Sequence, residues 1–254
     1  MITKQVDAIY SRRARFYETA HRLTLAGWDT PWRQVAGWLC TPLSDGNQVI
    51  EFCAGQGHAA VECMKVWTYL GLKDIHVTGV EYNEKMILYG LRKLKKLPFG
   101  NRVRLVRGDV MDMLPGSARE GFASFEDATF DAAMCVFGVG GIESPRLAFR
   151  EMLRVVKPGA RVVVIDSHLP MSGLHTSARR AGCFYAVRLW FMRHMWGWEN
   201  CPTMIKDIEQ ASYSSPTGES FGFEVIVKAI CPSPRIIMRN AISVFTGVKV
   251  RRND

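Results

Sequence analysis

No two of the seven cysteines are spaced as CxxC; they are scattered through the 254 residues. That excludes the usual zinc-ligand spacings and the CxxC redox motif, and no metal site is read from the chain. An odd cysteine count without a framework also argues against a disulfide scaffold, so reduced thiols and a cytosolic setting are expected. No apolar run reaches the roughly 18 residues that mark a membrane span. The opening MITKQVDAIYSRR is polar and charged and does not read as a secretory leader. The first glycine-rich stretch is not GxGxxG, and no phosphate-loop Lys-Ser/Thr follows it, which disfavours ATP and GTP. Repeats and low-complexity tracts are absent as well.

What is present is ordinary for a folded protein: 48% hydrophobic and 22% charged residues. The formal net charge is +9. Much of it sits in SRRAR (11–15), RKLKK (92–96) and KVRR (249–252), which read as solvated faces. Net charge bears on partners rather than on fold.

Short apolar runs alternate with helical patterns. Strands are expected at Gln48–Cys53, Ile75–Glu81, Arg102–Arg107, Phe130–Phe137 and Ala160–Ser167. Helices are expected at His58–Leu70, at Asn83–Leu97 with Asn83 as cap, and at Pro145–Val156, stopped by Lys157-Pro158-Gly159. This alternation predicts βαβ units and a parallel sheet with helices on both faces. After Ser167 the rhythm breaks. An aromatic and Met-rich insertion spans 168–202, a short helix is expected at Met204–Ala211, and two runs, Phe223–Ile230 and Ile242–Val250, read as an antiparallel edge pair. The chain is therefore read as one domain, 1–254, with an N-terminal helical arm over about 1–45 and a lid over 168–202.

VIEFCAGQGHAAVECMKV, residues 49–66, carries the first chemical signal. Glycines after a strand let the backbone turn sharply and let a ligand approach the free N–H groups of the following helix. Gly55 and Gly57 fit that role, and Glu51 ends the strand beside them. A second strand ends in Glu81, followed by Tyr82. A carboxylate there suits two ribose hydroxyls. A third is followed by Asp109 and Val110, where the acid can accept from an adenine amino group. Three acids at three successive strand ends describe a ligand with adenine, ribose and a positive or amino-bearing tail, without phosphates. S-adenosylmethionine has that chemistry.

From about Ile9 to Lys249 the chain resembles the class I S-adenosylmethionine-dependent methyltransferases. EFCAGQG stands where that family has an acid and Gly-x-Gly-x-Gly, with Cys53 in the place of the first glycine and Ala54 beside it. GVEYNEKM resembles the ribose-binding segment. GDVMDMLP resembles the adenine-binding one, with Met111 or Met113 able to lie on the ring. FEDATFDAAMCVFGVGGIESPRLAFREMLRVVKPGARVVVID, the closing VFTGVKV and the opening IYSRRARFYE are similar to the ubiquinone/menaquinone C-methyltransferase family; lipid N-methyltransferases share much of this pattern. The resemblance implies a doubly wound, mostly parallel, seven-stranded α/β sheet. It implies a cofactor site of Glu51, Ala54, Gly55, Gly57, Glu81, Tyr82, Asp109 and Val110, covered by Tyr10 or Tyr17.

Methyl transfer to carbon needs a base. Asp166 and His168 follow the fifth strand, and Glu143 follows the fourth. Acceptor clues lie in the insertion, where Phe184, Tyr185, Leu189, Trp190, Phe191, Met195, Trp196 and Trp198 would form an apolar wall beside Arg179, Arg180, Arg188 and Arg193. That reads as a lid over a small lipophilic acceptor, with peripheral contact to a membrane surface. The alternative is a core helix with snorkelling arginines. A quinone ring carbon is the first expected acceptor and a lipid amine the second. A soluble thiol, amine or hydroxyl, and a non-catalytic cofactor- or nucleic-acid-binding module, stay open. CVFGVGGIE carries neither the Asn/Asp-Pro-Pro-aromatic segment nor the Pro-Cys pair of nucleic-acid methyltransferases, which reads against nucleic acid.

Overall fold

The computed structural model describes residues 2–25, 27–168, 190, 194, 203–232 and 241–252. Three helices come first: α1 (Ile2–Arg13), α2 (Tyr17–Thr24) and α3 (Asp29–Leu39). Strand and helix then alternate through β1 (Gln48–Phe52), α4 (His58–Tyr69), β2 (His76–Glu81), α5 (Glu84–Leu94), β3 (Val103–Arg107), β4 (Phe130–Val136), α6 (Pro145–Val155) and β5 (Val156–His168). The described chain continues through α7 (Met204–Glu209), β6 (Tyr213–Ser214), β7 (Ser220–Pro232) and β8 (Ala241–Arg251).

All eight strands join one sheet in the order β3-β2-β1-β4-β5-β8-β7-β6. The first five pair in parallel, β1 with β2 from Gln48↔His76 and with β4 from Val49↔Ala132. β8 returns antiparallel between β5 and β7. Among the described residues eight strands stand where seven were expected, because Tyr213–Ser214 adds a two-residue edge on β7. Two residues carry no readable alternation, so periodicity does not reveal such a strand.

Alternation along the strands sorts the core onto two faces. Ile50, Phe52, Ala133, Cys135, Val162 and Val164 face α6 and α7 through Phe149, Leu153 and Ile208. Val49, Ala132, Met134, Val163 and Ile165 face α3, α4 and α5 through Ala36, Trp67 and Leu94. Helix α3 lies close on α4: a Cβ at Gly37 would meet Cys63 Cα and Val66 Cβ at 3.1 Å, and Trp67 Nε1 donates to Gly37 O at 2.9 Å.

Local chemistry sets the element ends. Asn83 has extended backbone, and its side chain accepts from Met86 N–H at 3.0 Å, capping α5. Pro145 opens α6, where a missing N–H costs nothing. Lys157-Pro158-Gly159 does not close α6 into a loop. The helix ends at Val155, and the three residues form a bulge near the start of β5, with Gly159 at φ +81 and the register passing from Phe130↔Val156 to Ala132↔Arg161.

Candidate functional site

Strand order reverses between β1 and β4, and there the carboxyl ends of the parallel strands open a cleft. The loop after β1 forms its floor. Cys53, Gly55 and Gly57 all have positive φ, at 55°, 57° and 80°. Gly57 N–H closes the turn on Ala54 O at 2.8 Å, and Ala54 N–H reaches Val80 O at 3.0 Å. This leaves α4 starting at His58 with its amino end beside the loop.

Glu81 organises this floor. Its Oε2 accepts from Gly55 N–H and its Oε1 from Asn83 N–H, both at 2.8 Å. Burial pushes its carboxyl up, against the pull of those backbone donors. Asp109 Oδ1 accepts from Met111 N–H at 3.0 Å, which fixes the turn after β3. The cleft wall contains Gly55, Glu81, Tyr82, Asp109, Val110 and Tyr17, all named by the sequence, together with Tyr10, Met111 and Glu143. Met113 is fully buried in the core instead.

Helices α1 and α2 form the roof. Tyr10 and Tyr17 meet edge-on, 5.4 Å between ring centroids. Burial raises both phenols, Tyr17 to about 12, so both are neutral donors at any physiological pH. Asn83 Nδ2 lies 3.0 Å from Asp7 O, 2.6 Å from Asp7 Oδ1 and 2.7 Å from Ser11 Oγ. Gln56 Nε2 donates to Ala14 O at 2.5 Å, and Glu18 pairs with both His58 and Lys93. Asn83 was legible as a helix cap; that the same side chain holds α1 was not, because its partners lie more than 70 residues away in sequence.

Other expected site residues stand outside the cleft wall. Glu51 is 2% exposed and accepts from Ala60 N–H at 3.1 Å, on the α4 side of the loop. Ala54 and Gly57 shape the loop from behind. Asp166 Oδ2 accepts from Val139 N–H at 2.6 Å and Gly140 N–H at 3.3 Å, and its Oδ1 lies 2.6 Å from Ser167 N, so it pins the turn after β4. His168 ends β5, and its side chain lies outside the described residues, as does the proposed apolar wall except Trp190. Sequence reasoning did not find Val6, Asp7, Met86, Phe137 and Ile142 on the wall. Phe137 carries the one readable clue, an aromatic just past a strand end, and it adopts φ +60.

Asp7, Glu81, Asp109 and Glu143 line this cleft, and among the described residues no Lys, Arg or His does. In a chain of net charge +9, that composition of the described wall disfavours a phosphate-bearing ligand and suits a neutral or cationic one. The ubiE/COQ5 methyltransferase family profile matches residues 2–187. The chain belongs to that family. The ubiquinone/menaquinone biosynthesis C-methyltransferase UbiE of Geobacter sulfurreducens is 28% identical over 186 residues, 73% of this chain and 66% of the relative. The chain spans about 59–66% of the length of three curated relatives it matches. Among solved structures, the [4+2]-cyclase SpnF superposes with a TM-score of 0.62 at 17% identity, covering 87% of this chain and 81% of that one. Phosphoethanolamine N-methyltransferase 1 of Haemonchus contortus, in complex with phosphoethanolamine and S-adenosylhomocysteine, gives 0.65 at 13% identity over 99% of this chain and 49% of that one. These last two likenesses show the fold.

Proposed function

We infer that the chain binds S-adenosylmethionine in the acid-lined cleft and transfers its methyl group to a ring carbon of a small lipophilic quinol, releasing S-adenosylhomocysteine. The observation that carries this reading is the cleft wall itself: four carboxyl groups, three tyrosines and no cationic side chain among the described residues. A sulfonium ligand with adenine and ribose matches that donor set, and a nucleotide phosphate does not. Glu81 would take the ribose hydroxyls on the lone pairs left after its two backbone bonds. Asp109 would accept from the adenine amino group, with Val110, Met111 and Ile142 against the ring. Gly55 gives the methionine end close access to the backbone, with Gly57 and Ala54 fixing the loop and Glu51 supporting it from behind. Tyr10 and Tyr17 would exclude water from above.

When bound, the cofactor supplies an electrophilic methyl group. Transfer to carbon also requires a proton acceptor. Asp166 is held by backbone N–H donors and serves as a positioning residue for the Val139–Gly140 turn. His168, two positions further along β5, is the base in this reading. The quinol acceptor is supported by the family and by the name of the Geobacter relative. N-methylation of a lipid amine is the second reading, favoured by the sequence pattern that lipid N-methyltransferases share with this chain.

Calorimetry with S-adenosylmethionine tests the cofactor, beside Glu81→Ala. Losing a charge-assisted contact should cost about 2 kcal/mol, roughly thirtyfold in affinity. Turnover with a demethylated quinol and with phosphatidylethanolamine then separates the acceptors. No binding at millimolar cofactor would overturn the reading.

A further inference from the structure

Cys53 and Cys135 stand together beneath the cleft. Phe52 of β1 pairs with Cys135 of β4, so Cys53 lies one residue further along the neighbouring strand. A strand spacing of about 4.8 Å and a rise of about 3.3 Å place their Cα atoms about 5.8 Å apart. That is inside the roughly 4.4–6.8 Å span of disulfides. Ordinary alternation would turn consecutive residues Phe52 and Cys53 to opposite faces. The left-handed backbone of Cys53, φ 55, instead returns it to the Phe52 and Cys135 side, where it packs on the same core cluster.

Gly138 gives the sulfurs room. A Cβ there would lie 2.5 Å from Cys53 Cβ, 3.1 Å from Cys135 Sγ and 3.4 Å from Cys53 Sγ. Both thiols are free, Cys53 lines the cleft, and Cys135 is buried directly behind it. A side-chain hydrogen bond with Cys135, followed by burial, pushes the Cys53 thiol well up, so Cys53 starts as a protonated thiol at neutral pH.

We propose that Cys53 and Cys135 are an oxidisable dithiol, and that their disulfide lowers affinity for the ligand of this cleft. The affinity part rests on the cofactor reading above. A peroxide oxidises Cys53 first, because only Cys53 faces the cleft. The Cys53 sulfur attacks one peroxide oxygen as its thiol gives up its proton, the O–O bond breaks, and the departing oxygen takes that proton and leaves as water, with a sulfenic acid on Cys53. The Cys135 thiol then attacks that sulfur, an S–S bond forms, and a second water leaves. Two thiol hydrogens and two electrons pass to one peroxide. The crosslink ties Cys53 to β4 two residues before Gly55, whose N–H is held by Glu81. The glycine loop, held at both points, then cannot adjust to admit the ligand.

The test uses the full chain, reduced and then treated with hydrogen peroxide. Non-reducing peptide mapping should find Cys53 linked to Cys135, faster as pH rises toward the thiol range and slower with S-adenosylmethionine present. Calorimetry should show affinity reduced at least about tenfold in the oxidised protein and restored by dithiothreitol. Cys135→Ala should bind as the reduced native chain does and should leave Cys53 as a sulfenic acid trapped by dimedone. Linkage only among other cysteines, or a Cys53–Cys135 bond that leaves affinity unchanged, overturns the proposal. If the reduced chain does not bind S-adenosylmethionine, the cofactor reading fails by itself, while the peptide map still decides whether the dithiol exists.

Discussion

Replacing Glu51 with glutamine should change how stability depends on pH far more than it changes stability at acid pH. Glu51 is 2% exposed, with Ala60 N–H as its backbone donor. Burial pushes its carboxyl up from 4.5 to about 8, outweighing the opposing Ala60 N–H and the more distant Arg33 charge. A carboxyl raised on folding stabilises the native state fully only below its unfolded value, and that contribution is lost as pH rises through the folded one. For 4.5 and about 8 the full effect is about 5 kcal/mol, of which about 4 falls between pH 5 and pH 9. Glutamine keeps an oxygen for Ala60 N–H and has no proton to lose. Urea unfolding midpoints of both chains across pH 5–9 should therefore diverge, the native chain losing several kcal/mol relative to Glu51→Gln. Taking the difference cancels the other titrating groups, including Glu81, which is raised in the same direction, and His58, which burial lowers to about 3. Parallel profiles would refute the assignment of a buried, mostly protonated Glu51 at neutral pH.

Asn83→Ala removes a helix cap and the hydrogen bonds to Asp7 and Ser11 together. It should cost about 1–2 kcal/mol and speed tryptic cleavage at Arg12 and Arg13; an unchanged cleavage rate would separate Asn83 from the roof. Arg154→Leu strips the partner of Glu151 and Asp127, and the donor to Phe125 O, from a side chain only 4% exposed. A loss of about 3–5 kcal/mol in denaturant unfolding is expected. Gly90→Ala would bring a methyl group to 2.5 Å from Leu105 Cδ1 and 2.8 Å from Gln56 O. Forcing α5 off the glycine loop should cost about 1–3 kcal/mol and weaken S-adenosylmethionine binding in the same calorimetric assay.

The parallel half of the sheet was legible because its strands are short β-rich runs separated by helical periods. Gln48–Phe52, His76–Glu81 and Val103–Arg107 fall within a residue of expectation. Glu81 and Asp109 were legible for the same reason, since a strand end fixes which edge of the sheet an acid occupies. What a strand end does not fix is the direction of the side chain. Glu51 turns to the amino end of α4 and Asp166 to the turn after β4, and in each case a backbone N–H elsewhere in the chain decides. The bulge at Lys157–Gly159 escaped because Pro and Gly mark a break without saying whether the strand resumes. The roof could be named from Tyr10 and Tyr17, yet its fastening through Asn83, Gln56 and Glu18 joins residues far apart in sequence.

Cys53 and Phe137 both take left-handed backbone at the carboxyl ends of the two central strands, conformations that cost non-glycine residues roughly 1–3 kcal/mol each. Glycine at position 53 would relieve one of them, and a single codon change reaches it from any cysteine codon. A lineage selected only for thermal tolerance would be expected to make that exchange early. This chain stands on the other side of the trade, holding a strained thiol next to its ligand cleft at a standing cost in stability. Comparing melting temperatures of native and Cys53→Gly protein would measure how large that concession is.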